Sequence, residues 1–399
     1  MSGPGRRGGP LHGIRVVELA GIGPGPFCAM VLADLGAEVV RVDRPADVDG
    51  PPATGADALN RSRPSIAVDL KHPRGVGIVL DLVDRADALI EGLRPGVAER
   101  LGVGPEPCLA RNPALVYGRM TGWGQDGPYA RMPGHDITYI ALSGALSAIG
   151  PPQRPAVPLN LVGDFGGGGM LLAVGVLAGV LQARSTGIGQ VVDAAMTDGS
   201  ALLMTLIHGL HGAGTWTLER EANLLDGGVP FYAVYEAADG HVAVGGLEPQ
   251  FHAAMLERMG LDDVDPAAQF DPASWPALRE RLAAEFRTRT RAQWEQLFLG
   301  TEVCAAPVLD MAEVAAHPHN AARGTFQEVG GVMQPSPAPR FSETPAAPPT
   351  PPPRPGEHTT EVLARWGVDD ATVAALLADG AIRQATEASD ARRSASSGA

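Results

Sequence analysis

Short runs of β-branched and aliphatic residues alternate with amphipathic stretches through the first half of the chain, and this rhythm predicts a parallel α/β sheet. IRVVELA (14–20) reads as a strand, the loop GIGPGP follows, FCAMVLADLG reads as a helix, and AEVVRVDRP as a second strand, which together make a βαβ unit. SIAVDLK (65–71), a helix over 75–85, ADALIEGL (86–93) and PALVYGRMT (113–121) continue the alternation. The expected result is a Rossmann-like, doubly wound sheet over residues 1–200.

Beyond a helical stretch at 198–212 the pattern changes, and residues 201–222 read as a linker helix. FYAVYEA, an Asp239-Gly240 turn and HVAVGGL predict a hairpin. Helices over 249–259, 275–287 and 292–299 complete a small α+β domain at 223–325. The proline-rich segment 345–355 leads into a helical region at 360–379, so 326–385 is expected to return to the large domain. Disorder is expected at both ends, about 1–10 and 386–399.

Composition narrows the class. The chain has 399 residues, 45% of them hydrophobic and 19% charged, with mean hydropathy +0.02, enough for two domains with real cores. Residues 165–181 are uncharged but carry six glycines and fall short of spanning length, so they read as a buried core helix with no membrane insertion. MSGPGRRGGPLHG lacks an apolar core before the first strand, which argues against a secretory signal and for a cytoplasmic location. Cys28, Cys108 and Cys304 are widely spaced and support neither a disulfide framework nor a zinc site. His208 with His211, and His317 with His319, lack a third ligand nearby, so no metal is expected.

A net charge of −14 argues against nucleic acid as a partner. A small polyanion is compatible with it where cations gather, and all the cations but Lys71 are arginine, whose planar fork suits phosphate. That bias also follows from base composition, as does the wealth of Ala, Gly and Pro. GIGPGP with Asp43 downstream imitates a dinucleotide fingerprint, but Pro26 stands where the third glycine is needed for helix and strand packing. The loop reads as a tight turn.

Two stretches carry the candidate chemistry. GHDITY (134–139) places His135 at a helix start, and NLVGDFGGGGM (160–170) places Asp164 at an expected strand end followed by four glycines. An imidazole and a carboxylate backed by exposed backbone amides suit removal of a weakly acidic C–H proton, stabilisation of an oxyanion and return of a proton. That points to enolate chemistry on an acyl thioester. The competing reading makes His135 and Asp136 a helix N-cap, and Gly166 to Gly169 a flexible loop instead of a passage for an acyl chain or pantetheine.

The chain resembles the family III CoA-transferases, and within them the α-methylacyl-CoA racemases. Similar landmarks run in one order over about residues 13–382: VVELAGIGPGPFCAMVLADLGAEVVRVDRP, VDLK, EGLRPGVAERLG, GRMTGWGQDGPY, GHDITY, NLVGDFGGGGM, GQVVDAAMTDG, NLLDGG, GGLEPQF, CAAPVLDMAEV and PGEHTTEVL. The resemblance implies that His135 and Asp164 are two bases on opposite faces of a 2-methylacyl-CoA, with Glu248 fixing the histidine tautomer and the Asp136 amide meeting the enolate oxygen. It implies a CoA site at Arg44, at Val68, Asp69, Leu70 and Lys71, at Gly92, Leu93 and Arg94, and at Arg100, Gly134 and Tyr139. Leu93 departs from the aromatic residue usual in racemases, so only its main chain is expected to bind. No metal or redox cofactor is implied, since CoA is part of the substrate. An interlocked homodimer is implied, with Glu248 reaching His135 from the partner chain.

Transferases of the family use the carboxylate at Asp164 as a nucleophile, usually have no histidine at 135, and often have glutamine at 139. Histidine and tyrosine here favour the racemase pattern. The long C-terminal segment is shared with transferases, so CoA transfer between carboxylic acids is the alternative, and a non-catalytic acyl-CoA-binding protein is another. Met170 and Met196 are expected to line an adaptable acyl pocket.

Overall fold

The computed structural model describes residues 8–50 and 55–386, which form two compact units. The first comprises the residues before 144, those at 159–203 and those after 322. Its sheet has six parallel strands, β1 (Arg15–Leu19), β2 (Glu38–Asp43), β3 (Ser65–Val68), β4 (Ala88–Glu91), β5 (Val116–Thr121) and β6 (Gln190–Ala195), in the order β3-β2-β1-β4-β5-β6. A short strand, Ile382–Arg383, runs antiparallel along the outer edge of β3. Strand order reverses between β1 and β4, and a doubly wound sheet opens a crevice at such a point, at the carboxyl ends of its strands.

Alternation along the strands divides the core into two layers. Val17, Leu19, Val40, Val42 and Ile66 pack on one face with the helices Gly75–Val83, Thr359–Arg365 and Asp370–Ala378. Val16, Val39, Ala88 and Ile90 pack on the other with the helices Pro24–Asp34 and Leu171–Thr186. Both faces are covered, which is why these strands read as continuous apolar runs. Several arginines are consumed inside this unit: Arg63 meets Glu18 at 2.8 Å, Arg41 meets Asp43 at 2.8 Å and Arg119 meets Glu91 at 3.1 Å, all buried.

The largest departure from expectation concerns Asp164. It does not end a strand; it lies in the first turn of a helical segment, Leu161–Met170, that continues directly into Leu171–Thr186. The segment winds in wide turns, with the Phe165 N–H reaching back five residues to the Asn160 carbonyl at 3.3 Å. Its glycines belong to helix packing. A Cβ on Gly167 would lie 2.6 Å from the Ser200 nitrogen, and one on Gly169 would lie 2.6 Å from the Pro24 carbonyl oxygen. The passage for an acyl chain expected at Gly166 to Gly169 is therefore occupied by protein. By length and composition Leu161–Thr186 could cross a membrane, yet Leu172, Ala173, Val176 and Val180 are buried in the core of the first unit.

Other boundaries shift for local reasons. The helix expected at 198–212 is two, Met196–Leu203 and Thr205–Gly212, and the one expected at 360–379 is broken by Gly367 at φ +83°. Disorder was expected from residue 1 to about 10, but Gly9 is buried and its N–H donates to the Pro345 carbonyl at 3.2 Å. The rest of that expectation, at 1–7 and 387–399, lies outside the described residues.

The second unit comprises 144–158 and 204–322. Strands Tyr232–Ala237 and Gly240–Gly245 form the expected hairpin, and Ala305–Pro307 adds a third antiparallel strand. The helices Pro249–Met259, Trp275–Phe286 and Arg291–Phe298 cover it. Tyr235 stacks on Phe286 at 5.0 Å and Trp294 on Phe298 at 5.5 Å, an aromatic core that amphipathic spacing alone suffices to place.

Candidate active site

A cavity of about 480 Å³ lies at the switch point of the first unit. The loop after β1 contributes Ile22, Gly23 and Pro24, the loop after β4 contributes Gly92 to Pro95, and the end of β5 contributes Thr121 to Trp123. His135, Tyr139 and Asp164 complete the wall. The structure thus brings together the two proposed bases, which lie 29 positions apart in sequence, with Gly134, Tyr139, Gly92, Leu93 and Arg94.

His135 is the N-cap of the short helix Asp136–Leu142, in extended conformation (φ −139°, ψ 169°), and forms a capping box with Thr138. The Thr138 hydroxyl accepts the His135 N–H at 3.1 Å and donates to the His135 carbonyl at 2.7 Å. The imidazole is exposed. The N-cap reading of this residue therefore holds for the local structure, while its exposed ring also lines the cavity.

Asp164 is half-buried. Asn160 donates from Nδ2 to its Oδ2 at 3.2 Å, and the Asp136 carboxylate accepts its backbone N–H at 2.6 Å. Burial raises the Asp164 pKa above the usual carboxylate range and the neighbouring Asp136 charge adds to this, while the Asn160 hydrogen bond and His135 oppose. Asn160 was not foreseen. Its i,i+4 spacing to Asp164 was visible, but it signifies contact only on a helix, and Asp164 had been read onto a strand.

Tyr139 is buried. Its ring meets Trp123 edge-on at 4.7 Å, and a Cβ on Gly122 would lie 2.1 Å from it, so the glycine makes room for the aromatic wall. Burial and the Asp164 charge both raise the tyrosine pKa. Of the two methionines expected at the pocket, Met196 lines it with Met120 and Met132, whereas Met170 is exposed and lies outside the lining.

The proposed cation cradle is less compact than expected. Arg94 lines the cavity; Arg44, Lys71 and Arg100 do not. All follow strands β2, β3 and β4 and so share the carboxyl end of the sheet, where each is exposed. Arg44 is already held by Asp47 through two 3.0 Å hydrogen bonds. Val68 is buried and Leu70 packs against the core, while the Asp69 carboxylate accepts the Lys71 N–H at 2.9 Å. The expected contact through the Leu93 main chain is limited to its carbonyl, because its N–H donates to Glu91 Oε2 at 2.6 Å. Burial pushes the Glu91 carboxyl up to about 7, opposed by that amide and by Arg119.

Glu248 lies in the second unit, as the exposed residue preceding the helix Pro249–Met259. It makes no capping bond, and its charge raises the pKa of the Cys304 thiol in the same unit. Among the described residues no cluster of three His, Cys, Asp or Glu stands close enough to hold a metal ion.

A Rossmann-ordered sheet whose switch-point crevice holds an imidazole beside a carboxylate defines an acyl-transfer or acyl-isomerising class, and the chain belongs to CoA-transferase family III, whose model matches residues 11–359. Within it, the chain is 44% identical to the α-methylacyl-CoA racemase of Mus musculus, over 92% of this chain and 96% of that protein. It is also 44% identical to the Homo sapiens α-methylacyl-CoA racemase, over 90% and 93%. Among solved structures, a CaiB/BaiF family protein from Brucella suis superposes with a TM-score of 0.76 at 26% identity, covering 90% of this chain and all of that one.

Proposed function

We propose that this protein is an α-methylacyl-CoA racemase, interconverting (R)- and (S)-2-methylacyl-CoA by proton transfer through an enolate. The observation that carries this is the meeting of an exposed imidazole and a half-buried carboxylate, its pKa raised by burial, in one crevice. The likeness to two racemases over nearly the whole chain supports it.

A thioester carbonyl acidifies its own α-carbon, so the reaction calls on no metal or redox cofactor. Neutral His135 takes the α-proton from one face while protonated Asp164 gives one to the other; the reverse direction exchanges the roles. One proton leaves carbon and one arrives, and the charge in between rests on the thioester oxygen. The Asp136 N–H, free of acceptors among the described residues, is the donor assigned to that oxygen. Arg44, Lys71, Arg94 and Arg100 are assigned to the CoA phosphates. We further assign a homodimer in which the partner subunit's Glu248 orients His135. Apolar side chains left open on the first unit, among them Leu142, Val174, Leu181, Leu202 and Leu203, support burial by a second chain.

Incubation of either epimer of a 2-methylacyl-CoA in D2O, with no acceptor acid present, is expected to give deuterium at the α-carbon and both epimers by proton NMR. Absence of exchange, together with CoA transfer to an added acid and hydroxylamine trapping at Asp164, would establish the transferase instead. Arg44→Ala and Arg100→Ala are expected to raise KM about tenfold or more with kcat nearly unchanged, because phosphate contacts act equally on ground and transition states. Added salt should imitate both variants, and an unchanged KM in both removes the cradle.

A further inference from the structure

Asp136 follows His135 directly and lies 28 positions before Asp164, and its side chain joins the two. Its Oδ1 accepts the Asp164 backbone N–H at 2.6 Å. The residue is only 7% exposed, and its Oδ2 is buried with no hydrogen-bond partner among the described residues. The approach depends on Gly163, where a Cβ would lie 2.4 Å from Asp136 Oδ1 and 3.1 Å from Ile140 Cγ2. Asp164 lies in the first turn of its helix, where a backbone N–H has no acceptor of its own helix to meet. A carboxylate from a different helix supplies one.

Burying a carboxylate with one oxygen unpartnered is costly. Simple capping does not require this cost, since a serine or asparagine serves as well. What the arrangement achieves is a fixed span: the backbone of one base is tied, through one side chain, to the residue adjoining the other. We propose that the Asp136 side chain is a positioning residue for racemisation, clamping Asp164 at a set distance from His135 so that a single reacting carbon is reached by both. This deepens the two-base reading above and rests on it. It is separate from the role assigned to the Asp136 backbone amide, which any side chain at this position leaves in place.

Burial is the largest cause holding the proton on Asp164, and the charge of Asp136 adds to it. Asn160 faces it from its own segment, His135 and Tyr139 face it from the short helix, and Arg94 acts on Tyr139. Ahead of the helix Pro24–Asp34, a Cβ on Gly23 would lie 3.4 Å from Asp164 Oδ2, and the Cys28 thiol of that helix is kept protonated by burial. On the helix Met196–Leu203, Met196, Gly199 and Ser200 pack against Gly167 and Gly168, while the charged Asp198 of that helix acts on Asp193. Asp136 is the one carboxylate whose charge acts on Asp164 among the described residues.

Two variants and two readouts test the clamp. Asp136→Ala removes the acceptor; Asp136→Asn keeps an oxygen in the same place without the charge. In Asp136→Ala, racemisation turnover should fall about 100-fold, the scale expected for a misplacement near 1 Å, with KM for the acyl-CoA within about threefold of the parent. α-Deuterium exchange of the epimer facing His135 should fall far less, because that step does not need Asp164. Asp136→Asn should recover most of the lost turnover, and its pH–rate profile should move to lower pH, since a charge that favoured protonation of Asp164 is gone. The proposal is overturned if Asp136→Ala racemises within threefold of the parent, if exchange and racemisation fall together, or if Asp136→Asn is as impaired as alanine. The parent enzyme separates the two levels: failure to exchange either epimer in D2O sinks the two-base reading itself, whereas normal parent exchange with any of the three outcomes above sinks only the clamp.

Discussion

His135→Ala and Asp164→Ala should each abolish racemisation while leaving slow, stereospecific α-proton exchange of one epimer. The loss follows from the stereochemistry, because a proton removed from one face must be replaced on the other, and one base serves one face. Positioned general acids and bases contribute about 10²–10⁴-fold each, so both variants should lose at least 10²-fold in turnover. The surviving base still stands beside a stabilised enolate. His135→Ala should therefore exchange the epimer facing Asp164, and Asp164→Ala the opposite one.

The parent enzyme should show a bell-shaped pH profile in both directions. Each direction needs one proton shared by the pair: at low pH both groups are protonated and no base remains, and at high pH both are deprotonated and no acid remains. Because burial and the Asp136 charge raise the Asp164 pKa, Asp164 holds its proton to higher pH than an exposed aspartate, which keeps the acid form available to the His135-initiated direction. Chiral analysis and NMR in D2O decide the matter. Exchange of the same epimer by both variants, or near-parent racemisation by His135→Ala, ends the two-base assignment.

How much of this was legible in the sequence depends on what each signal measures. Strands β1 to β5 were found because a sheet covered on both faces leaves unbroken apolar runs, and Val16, Val17, Val39 and Val40 are buried on alternate faces of it. β6 escaped notice because Gln190 and Val191 are exposed at the sheet edge and the run is short. His135 was placed correctly at a helix start, since GHD followed by an apolar periodicity is a local signal. Asp164 was misplaced because glycine carries low helix propensity, and four in succession argue against a helix unless another helix needs their absent side chains. The residues that need them, Pro24, Met196 and Gly199, are distant in sequence. Glu91 and the Asp136 side chain were missed because packing brings Arg119 and Asp164 to them, and Asn160 because its spacing to Asp164 signifies contact only on a helix. The cation cradle was read from family positions, which give the sheet end but not whether an arginine such as Arg44 already has a carboxylate partner.

The same packing makes Gly199→Ala a substitution with a large expected effect on both structure and turnover. A Cβ there would lie 1.8 Å from the Gly167 carbonyl oxygen and 2.8 Å from its Cα, both backbone atoms that no rotamer change can clear. The helix Met196–Leu203 and the segment Leu161–Met170 must then separate by more than an ångström. Asp164 lies on that segment, three residues before Gly167, and Met196 is part of the cavity wall, so the displacement reaches the site directly. Overpacking of a well-filled contact costs about 1–3 kcal/mol, and more where backbone must move. A lowered unfolding midpoint is expected together with about a 100-fold loss of turnover, the scale of an ångström's misplacement of a catalytic group. Gly77→Ala is the control: it lies within the helix Gly75–Val83 and a Cβ there meets nothing within 4 Å, so replacing glycine should stabilise by about 0.5–1 kcal/mol with turnover unchanged. If Gly199→Ala melts and turns over like the parent, the two helices are not in backbone contact, and the explanation given for the glycine run falls with that contact.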